Sequence, residues 1–281
     1  MNNIVERGRR FFASLPQIQA GDVSSSQDAK HVEQIDKHLK SSGIVKINLQ
    51  FEDNSSSYLG NLVLQLHKSH GHGLPITHSA SRGWFWDVRP QAAALEKAAT
   101  VQARSETMET FPWHTDCSYE VSPPRFFALQ VLQPDRCGGG TLSVLDCLRL
   151  VSLLSRDARE TLIRPEFRIT VPPEFIKKKE STHIIGPLLW LNEIQGTAQL
   201  RFREDIITPL TGRGRAALQE LHEILKSNEL NRQVMNLTPQ ILPRGSIVAM
   251  DNRRWMHARN TVCDPHRHLR RVRWDAQPFS K

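Results

Sequence analysis

The sequence predicts a mainly β protein, a sandwich or jelly roll with flanking helices, on three observations. Short β-like runs recur from Trp84 to Trp274, separated by Pro and Gly. Apolar residues at helical spacing are confined to a few stretches. The 281 residues are 39% hydrophobic and 23% charged, which suits a globular chain able to form a core without disulfides and excludes a wholly disordered one.

Residues 1–27, with Arg7, Arg9, Arg10 and the run Ser24–Ser26, read as a loosely held leader, and residues 28–281 as one domain. From Asp28, residues Val32, Ile35 and Leu39 fall on one helical face, and Gly43 stops that helix. Residues 44–51 alternate every second position and predict a strand. Ser55–Ser57 precede a second helical pattern carrying Leu59, Leu62, Val63 and Leu66. Further strands are expected at 84–88, 125–132, 141–145, 167–171, 183–185, 188–191, 200–202, 246–250 and 269–274. Helical insertions are expected near 147–163 and 214–227.

No apolar run approaches the roughly 18 residues of a membrane helix, so no membrane partner is expected. Cys117, Cys137, Cys147 and Cys263 form no Cys-x-x-Cys pair, and the N-terminus lacks the apolar core of a secretory signal. Reduced thiols and a cytoplasmic location follow as expectations. Nothing in the pattern demands self-association, and a homo-oligomer stays open. The chain carries a net charge of +8. Residues 251–281 hold eight Lys/Arg against three Asp, or +5 of that total. Such a segment suits nucleic acid, a pocket for small anions, or a solvated basic surface. No aromatic stacking motif accompanies it, so no nucleic acid is expected.

The run His67-Lys68-Ser69-His70-Gly71-His72 tempts a metal reading, but its glycines favour an exposed turn without a metal. The stronger signal is His114-Thr115-Asp116. In extended backbone these two side chains share a face, offering a nitrogen and an oxygen to one ion. His257 follows a buried-looking strand, and Arg267 lies ten residues beyond. Two histidines and one carboxylate, with open coordination positions, make the facial triad of a non-haem Fe(II) oxygenase.

The ordered set His114-Thr115-Asp116-Cys117-Ser118-Tyr119, Pro123-Pro124, Gly138–Thr141, Asp251-Asn252 with His257, and Arg267-His268-Leu269 resembles the taurine dioxygenase (TauD/TfdA) superfamily. Its last part is also similar to γ-butyrobetaine hydroxylase. The resemblance covers roughly residues 82–278 and implies a double-stranded β-helix of the clavaminate synthase-like kind. It implies His114, Asp116 and His257 as iron ligands, with Thr141 and Arg267 holding the distal carboxylate of 2-oxoglutarate. The implied cofactors are Fe(II), 2-oxoglutarate as co-substrate, and O2. The implied reaction is hydroxylation of an unactivated C–H bond on a small polar, carboxylate-bearing or amino-acid-derived substrate. A guanidinium offers a carboxylate two parallel donors that a lysine lacks, which is why an arginine suits position 267. Arg271 matches an arginine that some members use for an acidic substrate group, and Trp86 is a candidate for the substrate wall. Strand alternation places Arg267, Leu269, Arg271 and Arg273 on one face; a bulge would bring Arg270 to the site instead. An oxygenase acting on nucleic acid and a catalytically silent metal-binding protein are the alternatives.

Overall fold

The computed structural model describes residues 15–77, 83–90, 103–176, 182–192 and 196–279. Positions 1–14 of the expected leader, and Ala80, Ser81 and Arg82 ahead of Trp84, lie outside the described residues. The chain runs through β1 (Gln17–Ala20), α1 (Ala29–Ser41), β2 (Ile44–Leu49) and α2 (Ser57–His70). It continues through β3 (Phe85–Val88), β4 (Phe111–His114), β5 (Pro124–Gln133) and β6 (Leu142–Asp146). Next come α3 (Cys147–Leu153), α4 (Arg156–Leu162), β7 (Phe167–Thr170), β8 (His183–Gly186), β9 (Leu189–Asn192), β10 (Thr197–Leu200) and β11 (Ile207–Pro209). The last elements are α5 (Gly212–Leu225), α6 (Asn228–Asn231), β12 (Met235–Leu237), β13 (Ser246–Asp251), β14 (Trp255–Arg259) and β15 (His268–Ala276).

Two sheets hold the site. The larger has the order β1-β2-β13-β5-β15-β3 and the smaller β12-β6-β14-β4. Phe127, Leu129, Val248, Met250 and Leu269 of the larger sheet share one core with Val144 and Leu237 of the smaller. Alternate residues of the same strands, Phe126, Ala128, Ile247, Val272 and Trp274, pack against Ile35, Leu39, Leu59 and Leu62 on α1 and α2. Strand β13 is therefore buried at every position, as a strand covered on both faces must be. A third cluster lies under α3–α5 and joins them to β7, β9 and β10.

Most sequence expectations map onto these elements with ends shifted by a residue or two, and three differ. The leader does not extend to residue 27: β1 pairs parallel with β2, Gln17 opposite Lys46, and buries Ile18 and Ala20. The other edge of β2 is taken by β13, so the chain's start completes the sheet. The strand expected at 200–202 ends at Leu200, because Phe202 N–H leaves the ladder and donates to Thr115 Oγ1 at 3.1 Å. The His67–His72 run is no exposed turn: α2 continues to His70, and His72 is 5% exposed. His72 stacks on Phe126 with ring centroids 4.6 Å apart and accepts from Trp274 Nε1 at 3.0 Å.

Gly43 ends α1 as expected. It adopts φ +73°, and a Cβ there would stand 2.9 Å from Trp255 Nε1. The aligned ladder β4-β14-β6 then sets His257 opposite both His114 and Val144.

Candidate active site

His114 closes β4. Its Nδ1–H donates to the Pro112 carbonyl at 2.8 Å, which leaves Nε2 to face the interior. Phe111 stacks on its ring at 3.6 Å, and the His257 ring centroid lies 4.1 Å away. Asp116 lies beyond the strand end rather than within it. Its backbone is gripped by the Asn252 amide: Asp116 N–H donates to Oδ1 at 2.7 Å, and Nδ2–H donates to the Asp116 carbonyl at 2.9 Å and to Pro124 at 2.9 Å. Asp116 Oδ1 thereby sits 3.9 Å from His114 Nε2 and 3.8 Å from His257 Nε2.

One ligand atom from each of His114, Asp116 and His257 lies within 4.8 Å of the other two, and all three residues are buried. Burial, reinforced by His257 and opposed by Asp116, pulls His114 well below the usual histidine range. Burial works against ionising Asp116, but the Arg271 guanidinium and the neighbouring His257 hold its carboxyl well below the usual carboxylate range. Both groups thus adopt the protonation states a metal ligand needs, neutral imidazole and carboxylate. Two imidazoles and one carboxylate without thiolate suit Fe(II) better than a structural zinc.

A cavity beside the triad is lined by His114, His257, Phe127, Arg259, Arg267 and Arg271. Arg267 is 4% exposed, and among the described residues no carboxylate lies within ion-pairing distance of its guanidinium. Burial, with Arg259 nearby, pulls it down to about 10, so it stays charged at neutral pH. Asp135 opposes that shift from a distance, and a buried guanidinium with no ion-pair contact fits an incoming carboxylate.

Arg267 has an organised surround. Asp135 accepts backbone N–H groups from Cys137, Gly139, Cys263 and Asp264 at 2.7–3.2 Å, tying the glycine turn to the loop before β15. Gly140, at φ +67°, leaves room where a Cβ would stand 2.8 Å from Arg267 Nε. Thr141 follows, its N–H donating to Asn260 Oδ1 at 2.7 Å. Thr141 is not among the residues lining the cavity.

The arginine alternation on β15 holds. Arg267, Leu269 and Arg271 all line the cavity. Arg270 faces the other way and donates to Asp87 at 2.8 Å. Arg271 Nη1 lies 3.2 Å from Asp116 Oδ1 and 3.1 Å from Oδ2, so it touches the Asp116 carboxylate directly. Trp86 is the cross-strand neighbour of Arg271, which places both on one face of the sheet, and it packs against the inter-sheet core.

The family described as taurine catabolism dioxygenase TauD, TfdA family matches residues 11–273. The chain belongs to the TauD/TfdA family. No curated protein matches it. Solved structures similar to this TauD/TfdA chain include an asparagine oxygenase in complex with Fe(II), 2S,3S-3-hydroxyasparagine and succinate. That protein is 20% identical, with 98% of this chain and 89% of that chain covered and a TM-score of 0.67. The non-heme iron oxygenase OrfP in complex with Fe and alpha-ketoglutaric acid is 15% identical, covering 94% and 95%, with a TM-score of 0.65. OrfP in complex with Fe, succinate and (3S)-hydroxy-L-Arg is 16% identical, covering 96% and 88%, with a TM-score of 0.62. At these identities the likeness shows that the TauD/TfdA chain shares their double-stranded β-helix.

Sequence reading missed three contributors to this TauD/TfdA site. Asn252 stood in a motif but its grip on Asp116 spans 136 positions. Asp135 carried no signal beyond its nearness to the three glycines at 138–140. Arg259, two residues past His257, was one arginine among seven between 253 and 273.

Proposed function

We propose that this TauD/TfdA dioxygenase is an Fe(II)- and 2-oxoglutarate-dependent oxygenase that hydroxylates an unactivated C–H bond of an amino acid or a similar small carboxylate. The observation that carries the reading is the convergence of His114, Asp116 and His257 beside a cavity that the buried guanidinium of Arg267 also lines. Fe(II) held there, with 2-oxoglutarate and O2, supplies the oxidising power, and the co-substrate leaves as succinate and CO2.

The chain's own residues set the conditions. His114 is fixed in one tautomer by the Pro112 carbonyl, so Nε2 is its ligating atom. Asp116 stays ionised with Arg271 at its side. The Arg267 fork takes the distal carboxylate of 2-oxoglutarate; the Thr141 hydroxyl, the second donor that the family resemblance implies, stands outside the cavity lining. Phe111 and Phe127, against the two imidazoles, keep bulk water from the metal face. The carboxylate at 116 occupies the place a halide needs, which favours hydroxylation over halogenation.

The substrate is assigned by size and charge. Arg271 lines the cavity that meets it, with Trp86 its cross-strand neighbour outside that lining, and Arg271, shared with Asp116, offers remaining donors to a substrate carboxylate. The asparagine oxygenase and OrfP structures contain hydroxylated amino acids, which supports that class. A nucleic-acid substrate is disfavoured because Arg253, Arg259, Arg267, Arg271 and Arg273 of the basic C-terminal segment are buried and present no phosphate-binding face.

The test is succinate release in air with Fe(II), 2-oxoglutarate and a panel of the standard amino acids. The proposal expects release that depends on Fe(II), rises with one or a few amino acids, and disappears in His114→Ala. Binding of Fe(II) and 2-oxoglutarate without any succinate would instead mark the catalytically silent alternative.

A further inference from the structure

Arg259 is buried, 7% exposed, on β14 two residues beyond His257. Its guanidinium touches no carboxylate among the described residues. It donates instead to three backbone carbonyls of one segment: Ser105 at 3.2 Å, Thr107 at 2.9 Å, and Glu109. That segment is a single 3-10 turn, Arg104–Glu106, followed by the approach to β4 and His114. The turn has few bonds of its own, Glu106 N–H to Ala103 and Thr107 N–H to Arg104. It is tied elsewhere by Val262 N–H to the Met108 carbonyl and by Arg104 to Asp205. Ser105 and Arg259 both line the cavity that holds His114, His257 and Arg267.

Two features are unusual together. Every other carbonyl of 105–109 is drawn to one fork, so a single side chain holds three points of the segment's path. Arg259 and Arg267 line the same cavity, the Arg259 charge acts on Arg267, and neither guanidinium is in ion-pair contact with a carboxylate among the described residues, Asp135 acting on Arg267 only from farther off. Two buried cations side by side cost folding free energy unless something offsets them. The three carbonyl dipoles offset one; the other is offset in part by Asp135, without direct contact, and its fork is left open to an anion.

We infer that Arg259 is a positioning residue for the co-substrate: it clamps residues 105–109 as one wall of the cavity, and its charge, added to that of Arg267, biases the cavity toward a dicarboxylate. The inference rests on the oxygenase reading above and adds a residue to it. A planar fork with several donors is required, since a lysine ammonium cannot span three carbonyls along one segment.

The experiment compares the wild-type chain with Arg259→Met and Arg259→Lys, all at full length. Fe(II) and then 2-oxoglutarate are titrated without O2, and hydrogen exchange is followed across residues 104–110. Loss of one charge-assisted contact predicts 2-oxoglutarate binding weaker by about tenfold in Arg259→Met, with Fe(II) affinity held within about twofold. Arg259→Lys keeps the charge, so its 2-oxoglutarate affinity falls between the two. In both variants the Glu106 and Thr107 amides exchange faster than in the wild type. Unchanged 2-oxoglutarate affinity in Arg259→Met, parallel loss of Fe(II) and 2-oxoglutarate binding, or unchanged exchange would each overturn the inference. If Arg259→Met does not fold, exchange in Arg259→Lys alone decides between clamp and no clamp. A wild-type protein that binds no 2-oxoglutarate overturns the oxygenase reading instead, and the exchange comparison still judges the clamp.

Discussion

At the scale of single residues, the site depends on side chains that hold other side chains. Asn252 fixes Asp116 through both its amide oxygen and its amide nitrogen. Asn252→Ala removes three buried hydrogen bonds and frees the backbone at Asp116. Fe(II) affinity is expected to fall roughly 10–100-fold, the usual cost of losing such support, as read by metal titration. His72 makes a separate prediction far from the metal. Trp274 Nε1–H can only donate, so His72 Nδ1 accepts and its Nε2–H is directed at Asp36 Oδ1, 3.0 Å away. Burial outweighs the pull of Asp36 and holds His72 below the usual histidine range. The fold therefore favours neutral His72, the unfolded chain takes up the proton first, and stability is lost as pH falls below about 6.5. His72→Gln keeps an acceptor for Trp274 without the titration. Its melting temperature is expected to fall less steeply than the wild type's between pH 7 and 5; equal slopes would remove His72 from the acid response. The cluster of His114, Asp116 and His257 was legible because its residue types and order are specific. Asn252, Asp135 and Arg259 were not, because their partners lie far away in sequence and amide or guanidinium contacts leave no local pattern.

At the scale of elements, alternation decided what residue counting could not. The sequence offered Arg270 or Arg271, and the period of β15 sends 267, 269 and 271 inward and 270 outward, despite a register shift between His268 and Leu269. Helices α1 and α2 were readable because their apolar faces are complete, with Val32, Ile35, Leu39, Leu59 and Leu62 all buried. Strand β1 was hidden, since four residues of mixed polarity have no signal until β2 offers its free edge. Strand β14 was seen only as a motif, because Trp255–Arg259 carries two charged or titratable side chains that face a site rather than a core. The glycine turn before β6 gives the prediction at this scale. Gly140→Ala meets both a left-handed φ of +67° and Arg267 Nε at 2.8 Å from the added Cβ. Displacing that guanidinium is expected to weaken 2-oxoglutarate binding by about tenfold, as one charge-assisted contact is lost, while Fe(II) binding persists. Equal loss of both would point to collapse of the loop instead.

At the scale of the molecule, the charge distribution takes a meaning that composition alone could not give. Much of the basic excess of residues 251–281 is turned inward, toward Asp116, backbone carbonyls and the cavity. Two sheets close over that charge, helices α1 and α2 cover the outer face of the larger one, and β4 and β14 bring two imidazoles from distant positions to one level. No described helix is long and apolar enough to cross a membrane. The central claim is that this interior assembles one Fe(II) with a chelated keto acid. Anaerobic titration of Fe(II) into the protein with 2-oxoglutarate, followed by the visible absorption of the metal–keto acid chelate, tests it directly. The account predicts a band that saturates at one equivalent of Fe(II), is lost in His257→Ala, and needs far more 2-oxoglutarate in Arg267→Met. A wild-type protein that never develops the band, or a band indifferent to both substitutions, would contradict it.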